Sequence, residues 1–127
     1  MPEPLTREQI RELDAKLRQR LAELRADVRA ALERSEYESY QVIAGEVPDM
    51  EDAAFARMVR ALELVEIERD AAEIDDIDAA LGRIDAGHYG RCVDCSEPIA
   101  LERLRAYPSA KRCYDCQRQI ERQRSRF

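Results

Sequence analysis

Apolar residues recur at intervals of three and four along the first quarter of the chain. They are Ile10, Leu13, Leu17, Leu21, Leu24, Val28, Ala31 and Leu32. Such spacing places side chains on one face of an α-helix. Thr6 and Gln9 fit a capping box, which marks the start of that helix. Neither Gly nor Pro occurs between Thr6 and Ala44, so the helix predicted over residues 5–34 can continue beyond Tyr37.

A second apolar stripe follows a short interruption at Gly45 and Pro48. Asp49 or Asp52 can cap the helix that begins there. Its apolar positions are Phe55, Met58, Leu62, Val65, Ile67, Ile74, Ile77, Leu81 and Ile84. Gly87 is suited to end this helix, since glycine readily adopts the left-handed conformation that follows many helices.

Two helices joined by a short connection are expected to pack antiparallel. A turn near residues 46–47 sets Leu32 opposite Leu62, Val28 opposite Val65, Leu17 opposite Ile77 and Leu13 opposite Leu81. The stripe changes phase near residue 70, which predicts imperfect packing there. The pattern therefore predicts a fold dominated by α-helix, with a long antiparallel coiled-coil hairpin over residues 1–87 and its tip near 43–54. At 1.5 Å per residue, the second helix is roughly 55 Å long.

The four cysteines form two pairs, Cys92-x-x-Cys95 and Cys113-x-x-Cys116, separated by 17 residues. Zn²⁺ prefers four tetrahedral thiolates, and each Cys-x-x-Cys turn can supply two of them. The spacing predicts one Zn²⁺ held by all four cysteines. A complete set of thiolates leaves no position for substrate, so this zinc is expected to be structural.

Other uses of the cysteines remain open at this point. Two disulfides are disfavoured because nothing marks the chain as secreted. A thioredoxin-type motif would need a βαβ context, which is absent, and iron–sulfur clusters more often use other spacings. His88 lies four residues before Cys92 and could replace a thiolate, although it also suits the end of a helix.

The cysteine-containing segment, residues 88–127, is predicted to form a small zinc finger. Ile99, Leu101 and Leu104 offer it a minimal core, and a short C-terminal helix is expected from about residue 114 to 123. About 40 residues cannot bury enough surface to fold alone. Metal binding is therefore expected to supply much of the folding energy.

The charge is unevenly distributed along the chain. The net charge of the chain is −6. Residues 49–87 carry 4 basic and 12 acidic groups, whereas residues 88–127 carry 9 basic and 5 acidic groups. Phosphate contacts dominate nucleic-acid affinity, so a net-acidic chain is a poor general nucleic-acid binder. The balance favours a basic protein surface or a metal ion as partner.

The start of the chain predicts no signal peptide, and the apolar runs are too short for a membrane span, so a cytoplasmic protein is expected.

Two clusters of charged residues suggest a function. Acidic residues at the predicted tip could enter a cationic or Mg²⁺-bearing site, although they also suit a helix N-terminus. Arg118, Arg122, Arg124 and Arg126 could contact phosphate, or form a solubilising tail. No nucleophile–base pair, phosphate loop or carboxylate pair can be assembled, so the chain is predicted not to be an enzyme.

The finger pattern resembles that of the DksA/TraR family of four-cysteine zinc-finger transcription regulators. The residues that carry this resemblance are Gly90, the first cysteine pair, Ile99, Arg103-Leu104, Ala106, Pro108, Ala110 and the second cysteine pair. Asp49-x-x-Asp52-x-Ala54 matches the tip motif of that family at the expected distance from Cys92.

The resemblance implies a bacterial factor that binds RNA polymerase directly, acts within the stringent response, and does not bind DNA sequence-specifically. The hairpin would enter the secondary channel of the polymerase, with Asp49, Asp52 and Ala54 as its tip residues. Arg69 would contact the rim of that channel. The zinc finger would stay outside, and open-complex stability would change. A monomer is expected.

One departure from the family concerns the alarmone guanosine tetraphosphate. The resemblance implies that members that respond to it carry basic groups where this chain has Asp76, Tyr107 and Gln117. A polyanion would lose charge-assisted hydrogen bonds there, so little or no alarmone dependence is expected. Two other functions stay open: a nucleic-acid-binding finger that uses the terminal arginines, and a zinc-stabilised coiled-coil adaptor.

Overall fold

The structure, a computed structural model, describes residues 2–43 and 50–125, with side chains described in 2–35 and 53–125. Four helices account for most of this part of the chain: α1, Arg7–Ile43; α2, Met50–Ala86; α3, Leu101–Ala106; and α4, Tyr114–Ser125. Within the described ranges no strand forms, apart from an isolated bridge between Arg91 and Pro98. The predicted fold class is confirmed.

The start of α1 is held by the predicted capping box. The backbone N–H of Gln9 donates to Thr6 Oγ1 at 3.1 Å, and the backbone N–H of Thr6 donates to Gln9 Oε1 at 2.9 Å. Each bond satisfies a donor that the first turn of a helix leaves without an intrahelical partner. The helix continues to Ile43, so its predicted extension beyond Tyr37 is also confirmed.

The end of α2 is set by Gly87, as predicted. Its φ is +79°, which costs glycine little because it has no Cβ. The N–H of Gly87 donates to the carbonyl of Ile84 at 3.1 Å, and that of His88 to the carbonyl of Arg83 at 2.8 Å. These two bonds make a Schellman motif, which places His88 at a helix end.

The first compact unit comprises Met1–Leu21 and Asp75–Phe127. It brings the beginning of α1 together with the end of α2, so the two helices run antiparallel, as predicted. Its buried residues include Leu13, Leu17 and Ile77, each at most 1% exposed. Burial of three residues from the predicted pairs agrees with the register for this half of the hairpin.

The second compact unit is Ala22–Ile74. Leu24 and Ala31 of α1 are buried there, but the predicted pairing of Leu32 with Leu62 is wrong. These two side chains are 50% and 59% exposed, and Val65, the predicted partner of Val28, is 61% exposed.

The half-buried face of α2 in this unit is a different one. It carries Ala56, Arg60, Glu63, Ile67 and Ile74, and α1 is the other described element of the unit. The apolar stripe from Phe55 to Val65 is therefore turned outwards. The predicted phase change is real, but it separates two faces of α2 rather than loosening one contact.

The predicted division of the chain at residues 87 and 88 remains a prediction. In the structure the finger shares a compact unit with parts of both long helices, so the units follow different boundaries. Within the described ranges, no helix combines the length and the hydropathy that a bilayer crossing needs.

Candidate functional site

The first cysteine pair lies in a tight turn directly after α2. The backbone N–H of Cys92 donates to the carbonyl of Glu97 at 2.8 Å, and that of Ser96 to the carbonyl of Cys92 at 2.9 Å. Ser96 has a φ of +66°, an uncommon conformation for a residue other than glycine. This turn holds Cys92 and Cys95 on the same side of the backbone.

The second pair lies at the start of α4. Cys113 directly precedes the helix, and its carbonyl accepts from the N–H of Gln117 at 3.0 Å. The N–H of Cys116 points to Cys113 Sγ at 3.5 Å. N–H groups at a helix start favour negative charge, so they stabilise a thiolate. A bond from Val93 N–H to the carbonyl of Lys111, 2.9 Å, joins the two cysteine turns.

All four cysteine sulfurs lie within 4.8 Å of one another. The Sγ atoms of Cys95 and Cys113 are 3.8 Å apart, far longer than the roughly 2.05 Å of a disulfide. Four thiolates about 2.3 Å from a central Zn²⁺ would lie about 3.8 Å from one another. The donor set and its spacing therefore fit a single tetrahedral metal ion, and the pairwise disulfides considered above do not form.

Two thiols of this cluster, those of Cys92 and Cys116, have pKa values shifted in opposite directions. Burial raises the pKa of Cys92, but hydrogen bonds from the backbone N–H groups of Cys113, Cys95 and Asp94 outweigh it and lower that pKa to about 6. The pKa of Cys116 is raised, mainly by its hydrogen bonds with the sulfurs of Cys113 and Cys92. A metal ion binds thiolates, so binding of a divalent cation would release a proton from a thiol whose pKa is raised, such as Cys116.

Side chains beyond the cysteines hold the finger in place. Arg112 Nε pairs with Asp94 Oδ2 at 2.7 Å, and Arg103 Nε donates to the carbonyl of Arg112 at 3.0 Å. Both bonds anchor the segment before the second cysteine pair. Sequence analysis named Arg103 only as part of the family resemblance, and it missed Asp94 and Arg112. The position of Asp94 inside the first cysteine pair was the one available signal.

The finger is also attached to the end of α2. Tyr89 is buried, and its hydroxyl donates to the carbonyl of Pro108 at 2.8 Å. Arg83 Nη2 reaches the carbonyl of Ser109 at 3.5 Å. Burial lowers the pKa of Arg83. No sequence motif pointed to either residue, because their partners are backbone carbonyls distant along the chain.

The predicted tip residues lie at and just before the start of α2, and the predicted rim residue lies further along it. Asp49 lies outside the described residues, and Asp52 lies in the first turn of α2, before the range in which side chains are described. Ala54 and Arg69 are exposed on α2. Arg126 also lies outside the described residues. Arg118 places its guanidinium 5.4 Å from the centre of the Tyr114 ring, a cation–π contact.

The three predicted alarmone positions come together in the fold. Asp76, Tyr107 and Gln117 line one cavity of about 720 Å³. Its other charged lining residues are Arg103, Lys111, Arg112, Arg124 and Glu121. The sequence did not show that four basic side chains meet at this cavity, because they come from separate segments of the chain. Two of them, Arg103 and Arg112, already bond to groups within the finger.

Comparison with known proteins agrees with this geometry. Residues 87–122, which include all four cysteines, match the family model described as prokaryotic dksA/traR C4-type zinc finger. The chain is 29% identical to transcription factor DksA2 from Pseudomonas aeruginosa, and their structures superpose with a TM-score of 0.78 over 93% of this chain and 88% of that one. The finger of this chain is therefore similar to that of the DksA/TraR family, and the whole fold is similar to that of DksA2.

Curated relatives share the same part of the chain. The RNA polymerase-binding transcription factor DksA of Caulobacter vibrioides is 42% identical over 74 residues, which are 58% of this chain and 52% of that protein. The protein of the same name from Haemophilus influenzae is 36% identical over 69 residues, 54% and 48% of the two chains. The match thus spans about half the length of these relatives. Family members are named transcription factors, in agreement with the prediction that this chain is not an enzyme.

Proposed function

We propose that this chain is a bacterial transcription regulator that binds RNA polymerase directly. The observation that carries the proposal is its 42% identity to a protein named an RNA polymerase-binding transcription factor. The likeness to DksA2 over 93% of the chain supports it further. A polymerase partner also implies a cytoplasmic location, as expected from the residues.

One Zn²⁺ held by Cys92, Cys95, Cys113 and Cys116 has a structural role in this proposal. The four sulfurs complete a tetrahedron and leave no position for a substrate. The buried core of the finger is small, with Ile99 and Leu104 as its largest members. The metal therefore supplies the cross-link that joins the turn after α2 to the start of α4.

The acidic start of α2 carries the action on polymerase. Asp49, Asp52 and Ala54 enter the secondary channel, and Arg69 contacts its rim. The charge supports this assignment, because residues 49–87 carry 12 acidic groups against 4 basic ones. An excess of one sign steers a molecule towards a site of the opposite sign, and the Mg²⁺ of a polymerase catalytic centre provides such a site.

In vitro transcription with purified bacterial polymerase tests this function. Wild-type protein should change open-complex lifetime. Asp52→Asn should lose that effect while polymerase binding is retained, because the substitution removes one charge and keeps the shape. Asp75→Asn is the matched control, since it removes an exposed carboxylate from the same helix and should keep the effect. Equal behaviour of the two variants would contradict the assignment of the tip.

Little or no dependence on guanosine tetraphosphate forms a separate part of the proposal. The cavity that holds Asp76, Tyr107 and Gln117 contains two carboxylates, and two of its four basic side chains are already bonded. Titration with the alarmone in the same transcription assay should leave the effect within about twofold of its starting value, less than about 0.4 kcal/mol of coupling. An alarmone response that is absent in the wild type and present in Asp76→Lys would support this reasoning. A strong alarmone response of the wild type would refute it.

A further inference from the structure

A cavity of about 480 Å³ adjoins the cysteine cluster. Cys95, Cys113 and Cys116 line it, whereas Cys92 is 2% exposed and is not among its described lining residues. The rest of the described wall is formed by Pro2, Glu97, Pro98, Ala100, Arg103, Tyr114 and Asp115. A small molecule in this cavity therefore lies beside three of the four cysteines.

One part of this wall comes from a segment distant along the chain. Among the described lining residues, Pro2 alone lies outside residues 88–127. It belongs to the cover segment, residues 2–5, which precedes α1 and shares the first compact unit with the finger. Pro2 is itself exposed, so it forms an outer wall of the cavity rather than a plug within it.

The cover segment is held against the finger at its other end. Leu5 is half-buried, and its Cδ1 would lie 2.7 Å from a Cβ added to Gly90. That same Cβ position is 3.9 Å from Leu104 Cδ1, so Leu5 lies near the core of the finger. Thr6 follows directly and is fixed by its capping box with Gln9. The cover segment cannot leave the finger without losing the contact of Leu5.

The composition of the cover segment makes it stiff. The rings of Pro2 and Pro4 restrict φ to a narrow range. Glu3 is restricted to extended conformations, because a proline follows it. A stiff segment loses little conformational entropy when it is held against a surface. The sequence Pro-Glu-Pro therefore suits a stretch of chain that keeps its place beside the cavity.

We propose that the cover segment limits the access of small metal-binding ligands to the cysteine cluster, and so slows the exchange of zinc with them. This inference rests on the zinc site proposed above. The ligands concerned are thiols and aromatic nitrogen bases, which bind Zn²⁺ as cysteine and histidine side chains do. Metal–sulfur bonds to the finger are replaced by bonds to the incoming ligand, so the exchange needs neither an oxidant nor a reductant.

The kinetics of zinc loss can separate access from stability. Loss through spontaneous local opening of the finger does not depend on chelator concentration. Direct attack of a chelator on the folded site increases in proportion to that concentration. A plot of the rate against chelator concentration therefore gives the opening pathway as its intercept and the direct pathway as its slope. A cover over the cavity changes the slope.

Transfer of zinc from the loaded full chain to the coloured chelator pyridylazoresorcinol measures both quantities. Pro2→Gly combined with Pro4→Gly should raise the slope roughly fivefold and leave the intercept within about twofold, because glycine removes the restriction of both rings. Leu5→Ser should also raise the slope, since it removes the contact at Gly90. Leu32→Ser is the matched control, because it makes the same change at a half-exposed leucine of the second compact unit. It should change neither quantity.

The double proline variant decides the outcome, and circular dichroism verifies that each variant folds. An unchanged slope would overturn the proposal. A rise in the intercept alone would also overturn it, because the segment would then stabilise the finger without covering the cavity. The same holds for a slope raised equally by Leu32→Ser. A wild type that binds no zinc would overturn the zinc site as well. None of these results depends on RNA polymerase, so the proposed transcriptional function is tested separately.

Discussion

Among single residues, Gly90 governs how the chain passes from α2 into the finger. Its φ is +86°, and a Cβ added there would lie 2.7 Å from Leu5 Cδ1. Its carbonyl accepts from the N–H of Ile99 at 2.7 Å, so the glycine also closes the first cysteine turn. The backbone here combines a left-handed conformation with a close approach of the N-terminal segment, and only glycine satisfies both without strain.

Three glycine-to-alanine substitutions separate these effects. Gly82→Ala should stabilise the protein by about 0.5–1 kcal/mol, because Gly82 lies within α2 with nothing near its Cβ position. Gly87→Ala should cost about 1–2 kcal/mol through its positive φ alone. Gly90→Ala should cost more than Gly87→Ala, since Leu5 must also move. Denaturant unfolding of the zinc-loaded protein measures all three, and an equal cost at positions 87 and 90 would argue against the Leu5 contact.

Tyr89 predicts a dependence of stability on pH. Burial raises its pKa to about 12, although the charge of Arg83 acts in the opposite direction. Since the folded-state pKa exceeds the unfolded value of about 10, the contribution is complete below pH 10 and is lost as pH rises towards 12, by about 2–3 kcal/mol. Tyr89→Phe should abolish this loss. Exposed Tyr107 offers the control Tyr107→Phe, which should retain it.

At the scale of elements, the finger depends on its metal more than the long helices do. Among the fully buried large side chains, Ile99 and Leu104 belong to the finger, whereas Leu13, Leu17, Leu24 and Ile77 belong to α1 and α2. A segment with so small a core gains much of its folding free energy from metal binding. The helices α1 and α2 have apolar packing of their own.

Removal of zinc should therefore unfold the finger first. A strong chelator should eliminate the protection of amide hydrogens in residues 91–116 from exchange, while amides in the first compact unit's part of α1 keep theirs. Cys116→Ser should lower zinc affinity, and the chelator should change this variant less than it changes the wild type. Metal analysis should give one zinc per wild-type chain. Unchanged exchange in the finger after complete metal removal would contradict this dependence.

For the molecule as a whole, the distribution of charge favours a protein partner over a nucleic acid. The net charge is −6, and the basic excess is confined to residues 88–127. One arginine of α4, Arg118, already stacks on Tyr114. Several phosphate contacts would be needed for binding to duplex DNA, each steepening its dependence on salt.

Binding to duplex DNA should therefore be weak and nearly independent of sequence. Fluorescence anisotropy over a range of salt concentrations measures it, and a slope of log K against log salt shallower than about −2 is expected, corresponding to at most two phosphate contacts. Arg122→Gln should change it little. A slope of −4 or steeper, reduced by that substitution, would instead support the nucleic-acid-binding finger.

Local patterns predicted α1, α2, α4 and the cysteine cluster, but not the short helix α3. The capping box at Thr6, the end of α2 at Gly87 and the start of α4 depend on contacts within a few residues. The cysteine pairs likewise impose their own geometry through short turns. The basic side chains that line the cavity at Asp76 and the bonds of Tyr89 and Arg103 could not be foreseen, since they join segments far apart in the chain.

The sequence by itself determined the α-helical class, the helix ends, the antiparallel hairpin and the group of four thiols. These features follow from side-chain periodicity, glycine conformation and metal preference, which act over short distances. Only the tertiary structure decided which face of α2 meets α1. Two apolar stripes of different phase compete for one partner helix, and the choice depends on the combined packing of both helices. That choice turned Phe55, Met58, Leu62 and Val65 outwards, where more than half of each side chain is exposed.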